Sequence, residues 1–217
     1  MSGEQVARQQ KEAAGKTPLR YWLYLPDGYE SNEQWPLLLF LHGGGEGGSD
    51  LELVKKHGPP KKLAAGESMP MIVVSPQNPS TTQFWDDQAL AALLDELERA
   101  LKVDSRRIYL TGLSRGGYGV WRLAIQNPDR FAALVPISGG GAQPYVKRIK
   151  GTPTWVFHGA KDRVIPVSES QRMVRALTAA GGNVRLTVYP DAGHDAWTEA
   201  YDTPQLMSWL LEQKRAQ

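Results

Sequence analysis

The chain has 217 residues, of which 41% are hydrophobic and 22% charged, the balance of a globular protein able to bury an α/β core. Lys and Arg total 25 against 23 Asp and Glu, so the charge points to neither nucleic acid nor an anionic membrane surface as partner. With no cysteine, disulfides, thiolate metal sites and cysteine nucleophiles are excluded.

Residues 1–17 form a polar N-terminal segment without the apolar core of a signal peptide, and residues 18–217 read as a single domain. That start fits a cytoplasmic chain, or a secreted or periplasmic one whose leader lies outside this sequence. RYWLYLP (Arg20–Pro26) alternates polar and apolar residues and is predicted to be an edge strand, following a first strand that is missing or formed near Val6–Gln10. PLLLFLH (Pro36–His42) is a continuous apolar run, as a strand buried on both faces requires. The lysine-rich VKKHGPPKK (Val54–Lys62) reads as a solvated loop around a Pro-Pro turn, and MIVVSP (Met71–Pro76) as another buried strand. From Asp86 onward, leucines at 90, 93, 94, 97 and 101 make an amphipathic helical stripe with acidic residues in its first turn.

RIYLTG (Arg107–Gly112) is the next strand, and a helix over Arg115–Gln126 should stop before Asn127-Pro128. ALVPIS (Ala133–Ser138) and TPTWVFHG (Thr152–Gly159) are strands. A helix from Pro166 to Gly181-Gly182 follows, then the strand VRLTVYP (Val184–Pro190) and a last helix over Thr198–Lys214. The alternation predicts an α/β fold, a mostly parallel sheet of about seven strands with helices on both faces. Between the fifth and sixth strands lie about fourteen residues (Gly139–Thr152), too few for a cap domain. No apolar run has the length of a membrane span.

The chemistry centres on Gly112-Leu113-Ser114-Arg115-Gly116, a G-x-S-x-G pentapeptide between a predicted buried strand and a predicted helix. A sharp turn there exposes the serine hydroxyl at the carboxyl edge of the sheet, and side chains at the flanking glycines would strike neighbouring backbone. A serine is a poor nucleophile unless a base takes its proton and a carboxylate orients that base. In this chain order the acid and then the histidine follow the serine. His194, in a glycine-containing loop after the last strand, is the leading base, with His158 at the end of a strand as the alternative. Asp162 is the leading acid, with Asp191 and Asp195 as alternatives close to His194. HGGGEGG (His42–Gly48) follows the second buried strand with glycines that let backbone N–H groups converge on an oxyanion, and the Arg115 amide at the helix start is a second donor. No G-K-[ST] follows this glycine run, which argues against a phosphate-binding P-loop. Nothing in the chain has metal-ligand spacing, so neither metal nor other cofactor is expected.

The serine elbow, the HGGG loop, HGAKD and GHDAW together resemble the α/β-hydrolase superfamily. LYLPDGYE, VDSRRIYLTGLSRGGYG and AYDTPQLMSWLLEQ are similar to small capless esterases of the phospholipase/carboxylesterase-like group, some of them labelled peptidases. The resemblance spans roughly residues 19–213 and departs from many relatives at Gly45-Glu46-Gly47. It implies Ser114 as nucleophile, Asp162 as acid, His194 as base, and the Gly44 and Arg115 amides as oxyanion donors. A small-molecule ester is the implied substrate. Trp85 and Trp197, near the site in sequence, are expected to contact it. A peptidase, a feruloyl or polyester depolymerase, and a catalytically silent binding protein are the rival readings.

Overall fold

The computed structural model describes residues 2–11 and 17–215. Eight strands, β1 (Gln5–Gln9), β2 (Arg20–Tyr24), β3 (Trp35–Leu41), β4 (Ile72–Pro76), β5 (Val103–Leu113), β6 (Ala133–Ile137), β7 (Thr154–Gly159) and β8 (Val184–Tyr189), form one sheet. Their order is β1-β2-β4-β3-β5-β6-β7-β8. β2 runs antiparallel to β1 and to β4, and every other pairing is parallel.

The helices are α1 (Gly58–Ala64), α2 (Asp87–Ala100), α3 (Arg115–Gln126), α4 (Ser168–Ala179), α5 (Trp197–Tyr201) and α6 (Pro204–Glu212). Alternation along β3 divides the core between the two faces. Leu37, Leu39 and Leu41 pack with α2, α3 and α4, whereas Leu38 and Phe40 pack with α1, α5 and α6. Continuous apolar runs therefore become central strands because both of their faces are covered. The Asp86 carboxylate starts α2 by accepting the N–H groups of Gln88 and Ala89.

Four expectations change. Of the two readings of the N-terminal strand, the one near Val6–Gln10 holds as β1, and it makes β2 interior rather than an edge. VKKHGPPKK is not a solvated loop. It ends one 3₁₀ helix (Leu51–Lys56) and forms most of α1, with Val54, Pro59, Pro60 and Leu63 buried. Two prolines in a first helical turn cost no hydrogen bond, because those N–H groups have no partner inside the helix. The last helix is broken into α5 and α6 at Thr203, whose backbone is extended ahead of Pro204. β5 begins at Val103, earlier than expected, because Val103 pairs with Trp35. The segment between β6 and β7 contains one 3₁₀ helix, Gln143–Ile149.

Candidate active site

Ser114 occupies the junction of β5 and α3 with φ 53° and ψ −117°, a conformation that L-residues avoid. The turn is possible only because its neighbours lack side chains. A Cβ on Gly112 would lie 2.7 Å from the carbonyl oxygens of Leu41 and Gly116, and one on Gly116 would overlap the Leu41 carbonyl. The strand next in the sheet, β3, thus sets the close approach that demands glycine.

The loops after β5, β7 and β8 meet at this edge. His194 Nε2 is 3.0 Å from Ser114 Oγ, and His194 Nδ1 is 2.8 Å from Asp162 Oδ2. A ring nitrogen facing a carboxylate carries the hydrogen, which leaves Nε2 free to accept the Ser114 O–H. Asp162 Oδ1 accepts the N–H groups of Val164 and Ile165, each at 2.9 Å. Burial alone would raise the Asp162 pKa, but the hydrogen bonds from His194, Ile165 and Val164 hold it below the ordinary carboxylate value. The alternatives for these positions are engaged elsewhere. Asp191 pairs with Lys161 at the surface at 2.7 Å, and Asp195 accepts the Thr198 N–H and hydroxyl ahead of α5. His158 meets Asp162 rather than Ser114.

The glycine loop is held by His42. The Asn78 N–H donates to His42 Nε2 at 2.9 Å, so Nδ1 carries the hydrogen and donates to the Gly43 carbonyl at 2.7 Å. That bond fixes the peptide plane whose N–H belongs to Gly44. A Cβ on Gly44 would lie 2.9 Å from the Arg115 guanidinium, which donates to the Thr81 and Gln83 carbonyls and ties their loop to the start of α3. His42 was legible only as a residue beside the glycines. Its role depends on Asn78, which is distant in sequence.

Of the two tryptophans expected to contact substrate, Trp85 is instead a core residue. It is 2% exposed, lies against the His42 ring, and donates from Nε1 to the His42 carbonyl at 3.3 Å. Its neighbour Phe84 is 56% exposed and meets the Tyr118 ring edge-on at 6.0 Å, so the open aromatic surface lies one residue earlier. Trp197 is buried but stands edge-on to both His194 and His57, with centroids 5.1 and 5.4 Å away. Among the described residues no group of three His, Cys, Asp or Glu could hold a metal ion.

The sheet order, its crossovers and the strained strand-to-helix turn are those of an α/β-hydrolase. The dienelactone hydrolase family is matched over residues 71–205, and the chain belongs to that family. Among solved structures it resembles one described as a thermostable esterase, with 32% identity and a TM-score of 0.84, covering 98% of this chain and 64% of that one. The bifunctional acetylxylan esterase/xylanase XynS20E of Neocallimastix patriciarum is 28% identical over 149 residues, 66% of this chain and 21% of its own. "Probable feruloyl esterase C" of Aspergillus terreus is 26% identical over 166 residues, 75% of this chain and 62% of its own. The chain therefore spans less than two thirds of the length of each of these relatives.

Proposed function

We propose that this protein is a serine esterase that cleaves carboxylic esters through an acyl-enzyme, with Ser114, His194 and Asp162 as its triad. One observation carries the reading: the unbroken hydrogen-bonded line from Ser114 Oγ through His194 to a buried carboxylate, at 3.0 and 2.8 Å. His194 Nε2 takes the hydroxyl proton as Ser114 Oγ attacks the ester carbonyl. The imidazolium is stabilised by Asp162, which stays anionic because its pKa is depressed. Charge developing on the carbonyl oxygen is met by the Gly44 and Arg115 amides, the second at the start of α3 where the helix dipole adds to the field. Collapse of the tetrahedral intermediate expels the alcohol, which takes the proton from His194. Water then repeats the sequence and releases the acid.

Short acyl and aromatic esters are the proposed substrates. The segment between β6 and β7 adds little apolar cover, while Phe84 and Tyr118 offer an open aromatic surface. The esterase names carried by the relatives support the same bond type. Hydrolysis of p-nitrophenyl acetate and labelling by a fluorophosphonate test the reading. Ser114→Ala should abolish labelling and lower kcat on the order of 10⁶-fold with the fold retained. Full activity in Ser114→Ala, or an unlabelled and inactive wild type, would overturn it, the latter in favour of a silent binding protein.

A further inference from the structure

Asp162 carries a second imidazole. Oδ2, the oxygen that accepts from His194 Nδ1 at 2.8 Å, also lies 3.2 Å from Nε2 of His158, and the side chains of His158 and Asp162 are both wholly buried. With Oδ1 taken by two backbone N–H groups, the carboxylate faces four donors and cannot rotate without losing one.

The surroundings of His158 fix its proton. Nε2 faces two acceptors, Asp162 Oδ2 and the Ile165 carbonyl at 2.8 Å, so it carries the hydrogen. Nδ1 is 2.8 Å from Ser170 Oγ, on the first turn of α4. Burial lowers the pKa of the ring. Ser170 is itself fully buried, and its hydroxyl donates to the Gly139 carbonyl at 2.8 Å.

We infer that His158 is a positioning residue for ester hydrolysis, its Nε2–H shared between the Ile165 carbonyl and the oxygen of Asp162 that serves His194, with Ser170 seating the far side of the ring. The inference rests on the triad reading above. Its chemical consequence follows from charge. A donor on Oδ2 withdraws negative charge from the atom that stabilises the His194 imidazolium, so removing it strengthens that attraction while loosening the alignment. The other titratable groups around the pair are Ser114, Tyr118, Glu169 and Arg172 on α4, the Lys161–Asp191 ion pair, Asp195, and His57 across Trp197. All are retained in the variants below.

The test is the pH profile of kcat/KM for p-nitrophenyl acetate in the wild type, His158→Leu and His158→Gln, with circular dichroism and melting as fold controls. In His158→Leu the acid limb should move up by about half to one pH unit. Its kcat should fall on the order of 10–100-fold, with KM changed less than about threefold. His158→Gln keeps an N–H donor and should return the limb towards its wild-type position. An unmoved limb in folded His158→Leu, or a Gln variant no better than Leu, overturns the inference. Nitrogen-15 NMR of the wild-type histidines needs no variant: His158 should show a protonated Nε2 between about pH 6 and 8, and a bare Nε2 overturns it. Failure of the triad reading is distinguishable, since it would appear as activity in Ser114→Ala while the His158 Nε2 proton stands unchanged.

Discussion

Acidification should unfold this protein in part through His42. The ring is 1% exposed, accepts the Asn78 N–H at Nε2, and lies against Trp85. Burial lowers its pKa from 6.5 to about 4, with the Gly43 carbonyl opposing and the Arg115 charge adding to the shift. The unfolded chain therefore binds this proton first. Stability is complete above pH 6.5 and is lost as pH falls through the interval down to about 4. The loss accumulates at about 1.4 kcal/mol per pH unit and reaches about 3 kcal/mol. Protonation at Nε2 would also set two donors, the ring and the Asn78 N–H, against each other at 2.9 Å. Urea unfolding at a series of pH values between about 7 and 4, in the wild type and in His42→Gln, measures this contribution. His57 and His158, also lowered by burial, contribute in the same direction to both proteins and cancel in the difference. The wild type should lose about 3 kcal/mol more than the variant across the range. Equal losses, within about 0.5 kcal/mol, would refute a buried neutral His42.

Trp85→Phe should lower stability by about 1–2 kcal/mol through the lost indole hydrogen bond and packing, while the exposed Phe84→Ala should change it by less than about 0.5 kcal/mol. Phe84→Ala should instead raise KM for aromatic esters, and the reverse pattern in melting and steady-state kinetics would return Trp85 to the rim. Acyl chains of about two to six carbons should give the highest kcat/KM, because a methylene left in water forgoes about 0.8 kcal/mol, roughly a fourfold gain in rate. A p-nitrophenyl ester series read under soluble conditions checks this. A preference for dodecanoyl esters would overturn it and direct attention to the cavity of about 510 Å³ between α1 and α6, lined by Leu38, Met69, Val135, Leu206, Met207 and Leu210.

The elements legible in the sequence were those whose signal is local. Buried parallel strands show as apolar runs, α2 and α3 as leucine stripes or glycine-bounded turns, and the elbow as a pentapeptide whose two glycines answer a steric demand at Leu41. The chain order of Ser114, Asp162 and His194 was also readable, since each follows a strand and all parallel strands end at the same edge. What the tertiary structure decided depended on partners remote in sequence. The polar β1 could be read only as missing or near Val6–Gln10, and it is the hydrogen bonds of β2 that settle it at Gln5–Gln9, which in turn makes β2 interior. The Lys-Pro segment became a helix because Val54 and Leu63 had a sheet face to cover. Trp85 was drawn into the core by the His42 carbonyl, leaving Phe84 outside. The second imidazole on Asp162 was the least legible of all: HGAKD places His158 four residues from the aspartate, but only the turn after β7 and the packing of Ser170 bring its Nε2 onto the oxygen that His194 uses.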